Sequence, residues 1–175
     1  QIDDMVKVIE DALDELKAKD VGSGDTLEAW DFMFYHTKFV EEEHQVDDDV
    51  VKEYFPFDTV NKGLLETYQE LFSLKFVEVE QPDVWHESVR LYEVREASNN
   101  ELIGHFYLDL FPREGKYGHA AVFPLQRSCV LPDGTFVLPA AAMVANFPTP
   151  SANGRPSLLK MSEVVTYFHE FGHVM

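Results

Sequence analysis

The sequence predicts an α+β fold, in which helices come first, a small and mostly antiparallel sheet follows, and one more helix ends the chain. Two changes of hydrophobic periodicity indicate this order. Apolar residues recur at helical spacing over 1–74, at the two-residue spacing of strands over 75–147, and again at helical spacing over 162–175. Helices and strands that are segregated along a chain in this way are typical of the α+β class.

Three helices are predicted in the first 74 residues. The first has apolar side chains at steps of three and four from Ile2 to Leu16 and ends at Gly22 and Gly24. The second runs over about 26–45 and the third over about 58–74. Five aromatic residues lie on the second helix: Trp30, Phe32, Phe34, Tyr35 and Phe39. Packing in a core is favoured for them over a wall that binds peptides.

Short strands joined by turns are predicted from residue 75 onward. Three segments alternate or run apolar, LKFVEVE, SVRLYEVRE and ELIGHFYLDLF, with a turn at SNN between the second and the third. Further strands are expected at about 119–125 and 135–147, with a turn at LPDGT. Because most connections are short, the sheet is expected to be antiparallel or mixed. The Pro- and Gly-rich segment 148–161 is predicted to be a linker.

The last helix, predicted over 162–175 with Ser162 as its N-cap, contains the pattern H-E-x-x-H. His169 and His173 are four residues apart and therefore lie on one face of a helix, one turn apart. Two imidazoles so placed can bind one Zn²⁺, and Glu170 between them can act as the general base. A chance match on a helix is the alternative. The segment predicts a zincin-type metal-binding helix.

The predicted metal site lacks one ligand. A catalytic zinc normally has three protein ligands and a water. The chain stops two residues after His173, which leaves no place for the third histidine of H-E-x-x-H-x-x-G-x-x-H or for a glutamate from a following helix. Because the chain also starts at Gln1 without an initiator Met, we expect a fragment of a longer enzyme. The third ligand would lie beyond Met175, and the fragment would bind zinc weakly.

Composition excludes several classes of partner. The formal net charge of −18 argues against nucleic acid, because phosphate binding requires a basic surface. No apolar run approaches the ~18 residues of a membrane span, so no membrane partner is expected. The single cysteine, Cys129, excludes an internal disulfide and suits a reducing compartment. A buried structural role is favoured for it over that of a catalytic thiol.

A strand next to the metal helix offers a route for substrate binding. An edge strand there could bind an extended peptide by strand addition, with a peptide carbonyl over the zinc. The run AAAMVANF at 140–147 is the candidate, because its small side chains would let a peptide approach. Ala142, Val144 and Asn146 are therefore candidate substrate-binding residues. A buried central strand explains the same run equally well.

Six stretches of the chain carry a family resemblance: KEYFP, GLLETYQELF, WHESVRLYEV, GHFYLDLFPREGKYGHAA, AAMVANF and YFHEFGHVM. In order and spacing they resemble the family of zinc oligopeptidases that includes thimet oligopeptidase, neurolysin and saccharolysin. The resemblance extends from about Trp30 to Met175. The segments DLFPREGKYGHA and YFHEFGH are its most specific part.

The resemblance implies a mostly helical enzyme with a deep channel that admits short peptides and one Zn²⁺ in the complete enzyme. It implies that His169 and His173 are zinc ligands and that Glu170 is the general base. The third ligand of the family, a Glu on a later helix, and the substrate-binding elements that follow it have no counterpart in this chain. Members are typically cytosolic or mitochondrial, so a cytoplasmic location is expected, with the mitochondrion as the alternative.

Two functions remain open. In the first, the chain is a partial catalytic domain of a zinc metalloendopeptidase that hydrolyses short peptides, with a helical part (1–74), a sheet (75–147), a linker (148–161) and a truncated active-site helix (162–175). In the second, the isolated chain is a catalytically inactive folded module with at most weak zinc and peptide binding. The parent enzyme is expected to be a monomer. The truncated chain exposes apolar groups at its helix end, so self-association is expected for it.

Overall fold

The computed structural model describes most of the chain and divides it into two compact units. The described residues are 2–21, 27–44, 48–150, 154 and 156–175. The units are Gln1–Val51 and Lys52–Met175, and each has its own hydrophobic core. Among the described residues, no helix combines the length and the hydrophobicity that crossing a membrane requires.

The first unit contains two long helices, α1 (Ile2–Val21) and α2 (Phe32–His44), and the short α3 (Asp48–Val51). Helices α1 and α2 pack through a small core of Leu13, Leu16 and Tyr35. The helix predicted over 2–16 is therefore confirmed, and its predicted end at Gly22 and Gly24 lies outside the described residues. The second helix is confirmed over Phe32–His44 only. Its predicted start at about 26 is wrong, because residues 27–31 are described and are not helical, and its predicted end at about 45 lies outside the described residues.

Most of the aromatic residues around α2 are exposed. Tyr35 is buried, but Trp30 is 79% exposed, and Phe32 and Phe34 are also exposed. The prediction of core packing is therefore wrong for these three. Trp30 precedes the first residue of α2, and the face of α2 that packs in the core against α1 is occupied by Tyr35 and Phe39, one turn apart.

The second unit begins with a 3-10 turn at Lys52–Tyr54 and helix α4 (Phe57–Phe72), and it ends with helix α5 (Met161–Val174). Seven strands lie between them: β1 (Leu74–Glu78), β2 (Arg90–Glu96), β3 (Leu102–Asp109), β4 (Ala121–Gln126), β5 (Cys129–Val130), β6 (Phe136–Val137) and β7 (Ala140–Val144). Five of them form one sheet in the order β1-β2-β3-β7-β4, and β5 and β6 form a separate hairpin. The predicted α+β class is thus confirmed.

The sheet is mixed, because β3 and β7 run parallel while the other neighbours in the sheet are antiparallel. Tight turns make the antiparallel connections possible. Asn100, in the predicted SNN turn between β2 and β3, has a φ of 61°, and Gly134, in the LPDGT turn of the β5–β6 hairpin, has a φ of 86°. Asn and Gly are the residues that adopt this left-handed region at least cost.

One face of the sheet packs against α4 and α5. Alternate residues of the strands point to this face, among them Val94, Phe106 and Met143, and all three are buried. Phe171 of α5 lies on them, with its ring centroid 5.2 Å from that of Phe106 and 4.8 Å from that of Tyr68 on α4. The metal-binding helix predicted at 162–175 is therefore an integral part of the core.

Strand β7 is an interior strand. It pairs with β3 on one side and with β4 on the other, so its backbone groups are used within the sheet. The prediction that 140–147 forms the edge strand is wrong, and the alternative, a central strand, is confirmed. Strand addition at Ala142 or Val144 is blocked by these two neighbours, and Ala142 is only 3% exposed. Among the described strands, β4 is the edge on this side of the sheet.

Part of the segment predicted as a linker, residues 157–159, is bonded to the start of α4. The backbone N–H of Phe57 donates to the carbonyl of Ser157 at 2.8 Å, and the N–H of Leu159 donates to the carbonyl of Phe55 at 2.9 Å. Ser157 and Leu159 are both buried. These bonds fix the point at which the chain enters α5, and therefore the position of that helix on the sheet.

The core of the second unit predicts a large cost for a cavity at Leu64. Leu64 on α4 is 0% exposed, whereas Leu71 on the same helix is 69% exposed. We expect Leu64→Ala to lower the free energy of unfolding by about 2–5 kcal/mol, because it removes buried methyl groups and leaves a void. The control Leu71→Ala should change it by less than about 0.5 kcal/mol. Urea unfolding followed by circular dichroism measures both, and equal effects would contradict this description of the core.

Candidate active site

Helix α5 presents the H-E-x-x-H residues because its opposite face is buried. Tyr167 and Phe171 are fully buried, while His169 and His173, on the other side of the helix, are exposed. Glu170 lies between these two faces and is half-buried. Because an α-helix has 3.6 residues per turn, side chains two positions apart point to opposite sides. Burial of Tyr167 and Phe171 in the core therefore directs both imidazoles away from it.

The N-terminal end of α5 differs from the prediction. The helix starts at Met161, and the backbone N–H of Lys160 donates to the carboxylate of Glu163 at 2.8 Å. Ser162, the predicted N-cap, lies inside the first turn, so that prediction is wrong by two residues. The reason is that Glu163 provides the reciprocal half of a capping arrangement and thereby sets the start one turn before itself. Its negative charge in the first turn also stabilises the helix.

The two histidines are spaced as ligands of one zinc ion. Their Nε2 atoms are 3.3 Å apart, and their ring centroids are 4.9 Å apart. Two imidazole nitrogens that each lie about 2.0–2.1 Å from a tetrahedral zinc ion are separated by roughly 3.3 Å. The donor pair therefore fits zinc. Within the described ranges, no third His, Cys, Asp or Glu side chain joins the pair in a group that could hold a metal.

A cavity of about 450 Å³ joins the helix to the edge of the sheet. It is lined by Glu170 and His173 of α5, by Ala141 of β7, and by four residues at the start of β4: Ala120, Ala121, Val122 and Pro124. The residue predicted to be the general base and one of the predicted ligands thus face the same space as the edge strand. The sequence interpretation expected this neighbourhood but assigned it to the wrong strand.

The hydrogen bonds of β7 show which backbone groups of β4 are free. The N–H of Ala145 donates to the carbonyl of Asp109 on β3. The backbone N–H and C=O groups of the odd-numbered residues of this stretch therefore point to β3, and those of the even-numbered residues point to β4. On β4, the partners of the even-numbered residues are Ala121 and Phe123. The N–H and C=O of Val122 and the C=O of Pro124 therefore point away from β7, toward the open side of the sheet. Proline, which has no N–H, is tolerated at such a position of an edge strand.

Two tyrosine hydroxyls anchor α5 to α4. Tyr68 donates to the carbonyl of Phe168 at 2.8 Å, and Tyr167 donates to Oδ1 of Asn61 at 2.6 Å. Burial raises the pKa of both tyrosines, so each hydroxyl keeps its proton and stays a donor at neutral pH. A Cβ at Gly172 would lie 3.4 Å from the Tyr68 hydroxyl. This glycine therefore leaves room for a side chain of α4.

A buried charge cluster holds the loop that leads into β4. Asp109, at the end of β3, is 2% exposed, and its carboxylate accepts hydrogen bonds from Arg113 at 2.6 and 2.8 Å and from Nε1 of Trp85 at 2.9 Å. Nζ of Lys116 lies 3.0 Å from the same carboxylate. Burial alone would raise the pKa of Asp109, but the hydrogen bonds from Arg113, Trp85 and Lys116 outweigh it and hold that pKa well below its usual value.

Lys116 also ties three segments of backbone together. Its Nζ donates to the carbonyls of Asp109 at 2.8 Å, Phe111 at 2.6 Å and Ala145 at 2.5 Å. It therefore joins the ends of β3 and β7 beneath the loop 111–120. Nδ2 of Asn146 adds a bond to the carbonyl of Tyr117 at 3.0 Å. Asn146, a predicted substrate-binding residue, has its amide directed to this loop.

No sequence pattern predicted this charge cluster. The spacing D-x-x-x-R-x-x-K was the available signal, but charges at such spacing are common in exposed loops.

Cys129 is a further correction: it is exposed on β5, not buried. The β5–β6 hairpin pairs only within itself among the described strands, so its side chains are not covered by the sheet.

Comparisons with known proteins place the chain among the peptidases. The model of peptidase family M3 matches residues 1–175, and the chain therefore belongs to that family. This membership confirms the resemblance to the thimet oligopeptidase family.

Three relatives illustrate the match. The chain is 53% identical over 150 residues to a thimet-like oligopeptidase of Dictyostelium discoideum. The matched region covers 84% of this chain and 22% of that relative. It is 40% identical over 172 residues to saccharolysin of Saccharomyces cerevisiae, covering 92% and 24%. It is 38% identical over 149 residues to oligopeptidase A of Escherichia coli, covering 85% and 22%. The chain thus spans about a quarter or less of the length of these relatives.

The charge cluster predicts a strong dependence of stability on Lys116. We expect Lys116→Met to lower the free energy of unfolding by about 3–5 kcal/mol, because it leaves a buried carboxylate with fewer partners and three carbonyls without their donor. Lys62→Met is the matched control, since the Lys62–Glu66 pair on α4 is exposed and 3.8 Å long. That control should cost about 0.5 kcal/mol or less. Similar values for the two variants in urea unfolding would refute this role for Lys116.

Proposed function

We propose that this chain is part of a zinc-dependent metalloendopeptidase that hydrolyses short peptides, with His169 and His173 as two zinc ligands and Glu170 as the general base. The observation that carries the proposal is the 3.3 Å spacing of the two Nε2 atoms on a helix of a peptidase family. The relatives named oligopeptidases support short peptides as the substrate class. A third ligand from outside the described residues would complete the site.

Each group has a defined part in the proposed reaction. When bound, zinc would supply Lewis acidity that makes a water more acidic and a peptide carbonyl more electrophilic. Glu170 accepts a proton from the water as the water oxygen attacks the scissile carbonyl carbon. It then delivers that proton to the amide nitrogen as the C–N bond breaks, which yields a carboxylic acid and an amine. His169 and His173 would hold the zinc through their imidazole nitrogens.

The free edge of β4 is the proposed peptide-binding strand. Its outward groups are the N–H and C=O of Val122 and the C=O of Pro124, beside the cavity that contains Glu170 and His173. An extended peptide paired there would add a strand to the sheet and hold its backbone next to the general base. This assignment replaces the earlier one to β7. Ala142 remains near the site only as the buried neighbour of Phe123.

The second function remains a proposal for the isolated chain. In the part of the chain that the structure describes, no third protein ligand joins the two imidazoles, which favours weak zinc binding. The 175-residue chain by itself would then be a folded module with little or no turnover. A cytoplasmic location, with the mitochondrion as the alternative, also stays a prediction, as do the monomeric state of the whole enzyme and self-association of the isolated chain.

Removal of the proposed base tests the mechanism. In the full-length form of the protein, we expect Glu170→Gln to lower kcat on a quenched short peptide by at least about 100-fold, because no group then takes the proton of the water. The zinc content, measured by atomic absorption, should stay at one per chain. Glu66→Gln, at an exposed position of α4, is the matched control and should retain activity. Substantial turnover by the Glu170 variant would eliminate this role for Glu170.

Removal of one outward N–H tests strand addition. We expect Val122→Pro to lower kcat/KM on short peptides by about two- to tenfold relative to Val122→Ala, because it removes one hydrogen-bond donor from the free edge. Both variants lose the packing of the valine side chain, but only the proline variant loses the N–H. Steady-state kinetics of the two variants give the comparison. Equal kcat/KM values would argue against pairing of the peptide with β4.

A further inference from the structure

A second cavity, of about 580 Å³, adjoins the one that contains Glu170. Both are lined by Pro124, Ala141 and His173, so the second cavity continues directly from the proposed catalytic site. It lies between the C-terminal end of α5 and the end of β4, and it includes Gln126 and Arg127. A peptide that follows β4 past Pro124 would reach it.

The lining of this cavity lacks the acidic side chains that predominate among the charged residues of the chain. The sequence has 32 acidic and 14 basic residues, yet none of the residues that line the cavity is Asp or Glu. Arg127 is the one Lys or Arg among them. Another surface cavity, of about 630 Å³, is lined by three acidic residues, Glu78, Glu80 and Glu87, and by one arginine, Arg90. The site next to His173 is therefore a local exception in a strongly acidic chain.

Arg127 also differs from the other described arginines. Arg90, Arg95 and Arg113 each pair with a carboxylate, at 3.1, 2.7 and 2.6 Å respectively. In the described part of the chain, Arg127 makes no ion pair and no hydrogen bond. Because a guanidinium binds a carboxylate through two parallel N–H donors, an arginine without such a partner has its full donor set available to a ligand.

The backbone fixes where Arg127 lies relative to the edge strand. The register of β4 shifts between Pro124 and Gln126, and Nε2 of Gln126 donates to the carbonyl of Leu138 at 2.8 Å. These contacts fix Gln126, the last residue of β4, and Arg127 is the next residue in the chain. At about 3.3 Å per strand residue, the five residues from Val122 to Arg127 span roughly 16 Å at most. An extended peptide places a side chain or a terminus there within a few residues of its pairing with Val122.

We propose that Arg127 forms an anion subsite, which binds a carboxylate of the peptide substrate a few residues from the bond that is cleaved. The carboxylate comes either from an Asp or Glu side chain or from the C-terminus of the peptide. The inference rests on the proposed function, because it takes the cavity with Glu170 and His173 as the place of cleavage. It adds a preference among short peptides that the metal-binding helix cannot provide.

The test compares charged and neutral peptides of the same shape on the full-length protein. One series of C-terminally amidated peptides carries Glu or Gln at successive positions on each side of the cleaved bond, and one further pair differs only in a free or amidated C-terminus. At one position, the wild-type protein should favour the carboxylate by about tenfold in kcat/KM, the value of one charge-assisted hydrogen bond pair. A preference for Glu over Gln at one position of the series identifies a side-chain carboxylate as the bound group. A preference for the free C-terminus over the amidated one identifies the terminal carboxylate.

Variants assign the preference to Arg127. Arg127→Gln should abolish the carboxylate preference and Arg127→Lys should retain part of it, whereas Lys75→Gln, which removes an exposed positive charge on β1, should leave it unchanged. An unchanged preference in Arg127→Gln, or no preference in the wild-type protein, overturns the inference. Fluorescence anisotropy of the labelled peptides reads the same preference without cleavage. Failure of the wild-type protein to cleave any peptide would count against the proposed function, while the anisotropy would still decide the role of Arg127.

Discussion

The burial of one face of α5 is the constraint on which the candidate site depends. Phe171 is enclosed by aromatic rings from α4, β1 and β3, and Tyr167 is buried beside it. Once these two side chains enter the core, helical geometry leaves no freedom for His169 and His173, which must project from the opposite side. The spacing of their nitrogens is thus maintained by hydrophobic packing as well as by the helix itself. Damage to that packing would disturb the donor pair even with both histidines intact.

The edge of the sheet depends on a second, polar constraint. Lys116 and Asp109 are buried together, and they hold the ends of β3 and β7 against the loop that enters β4. A buried ion pair contributes little net stability relative to an apolar replacement, but loss of one partner is costly. What the pair does provide is a fixed geometry for the chain where β4 begins. The catalytic helix and the proposed peptide-binding strand are therefore positioned by different kinds of interaction on the same sheet.

Much of this arrangement could be predicted from local patterns, and the rest could not because it depends on distant residues. The periodicities locate the helices and strands, and H-E-x-x-H predicts the donor pair. The order of strands in a sheet does not depend on local sequence, since an Ala-rich run has the same pattern in an edge strand as in a central strand. Strand β7 is central because it also pairs with β3, which lies more than 30 residues earlier in the chain. The bond from Lys116 to Ala145 crosses 29 residues of sequence and leaves no trace in either segment. Burial of the α2 aromatics and of Cys129 likewise depends on which neighbours are present.

The position of β7 between β3 and β4 has a consequence for how the molecule assembles. Strand β4 precedes β7 in the chain but contacts no other strand of the five-stranded sheet, so it cannot join that sheet until β7 has been synthesised and inserted. Strands β1, β2 and β3, by contrast, can pair as soon as each emerges, because β1 pairs with β2 and β2 pairs with β3, in each case the next strand in the chain. Pairing between distant segments is slow, since the entropy of loop closure opposes it before contacts repay the cost. Strand β4, which lines the same cavity as Glu170, is therefore among the last parts of the sheet to form, and until then its hydrogen-bonding groups are open to other chains.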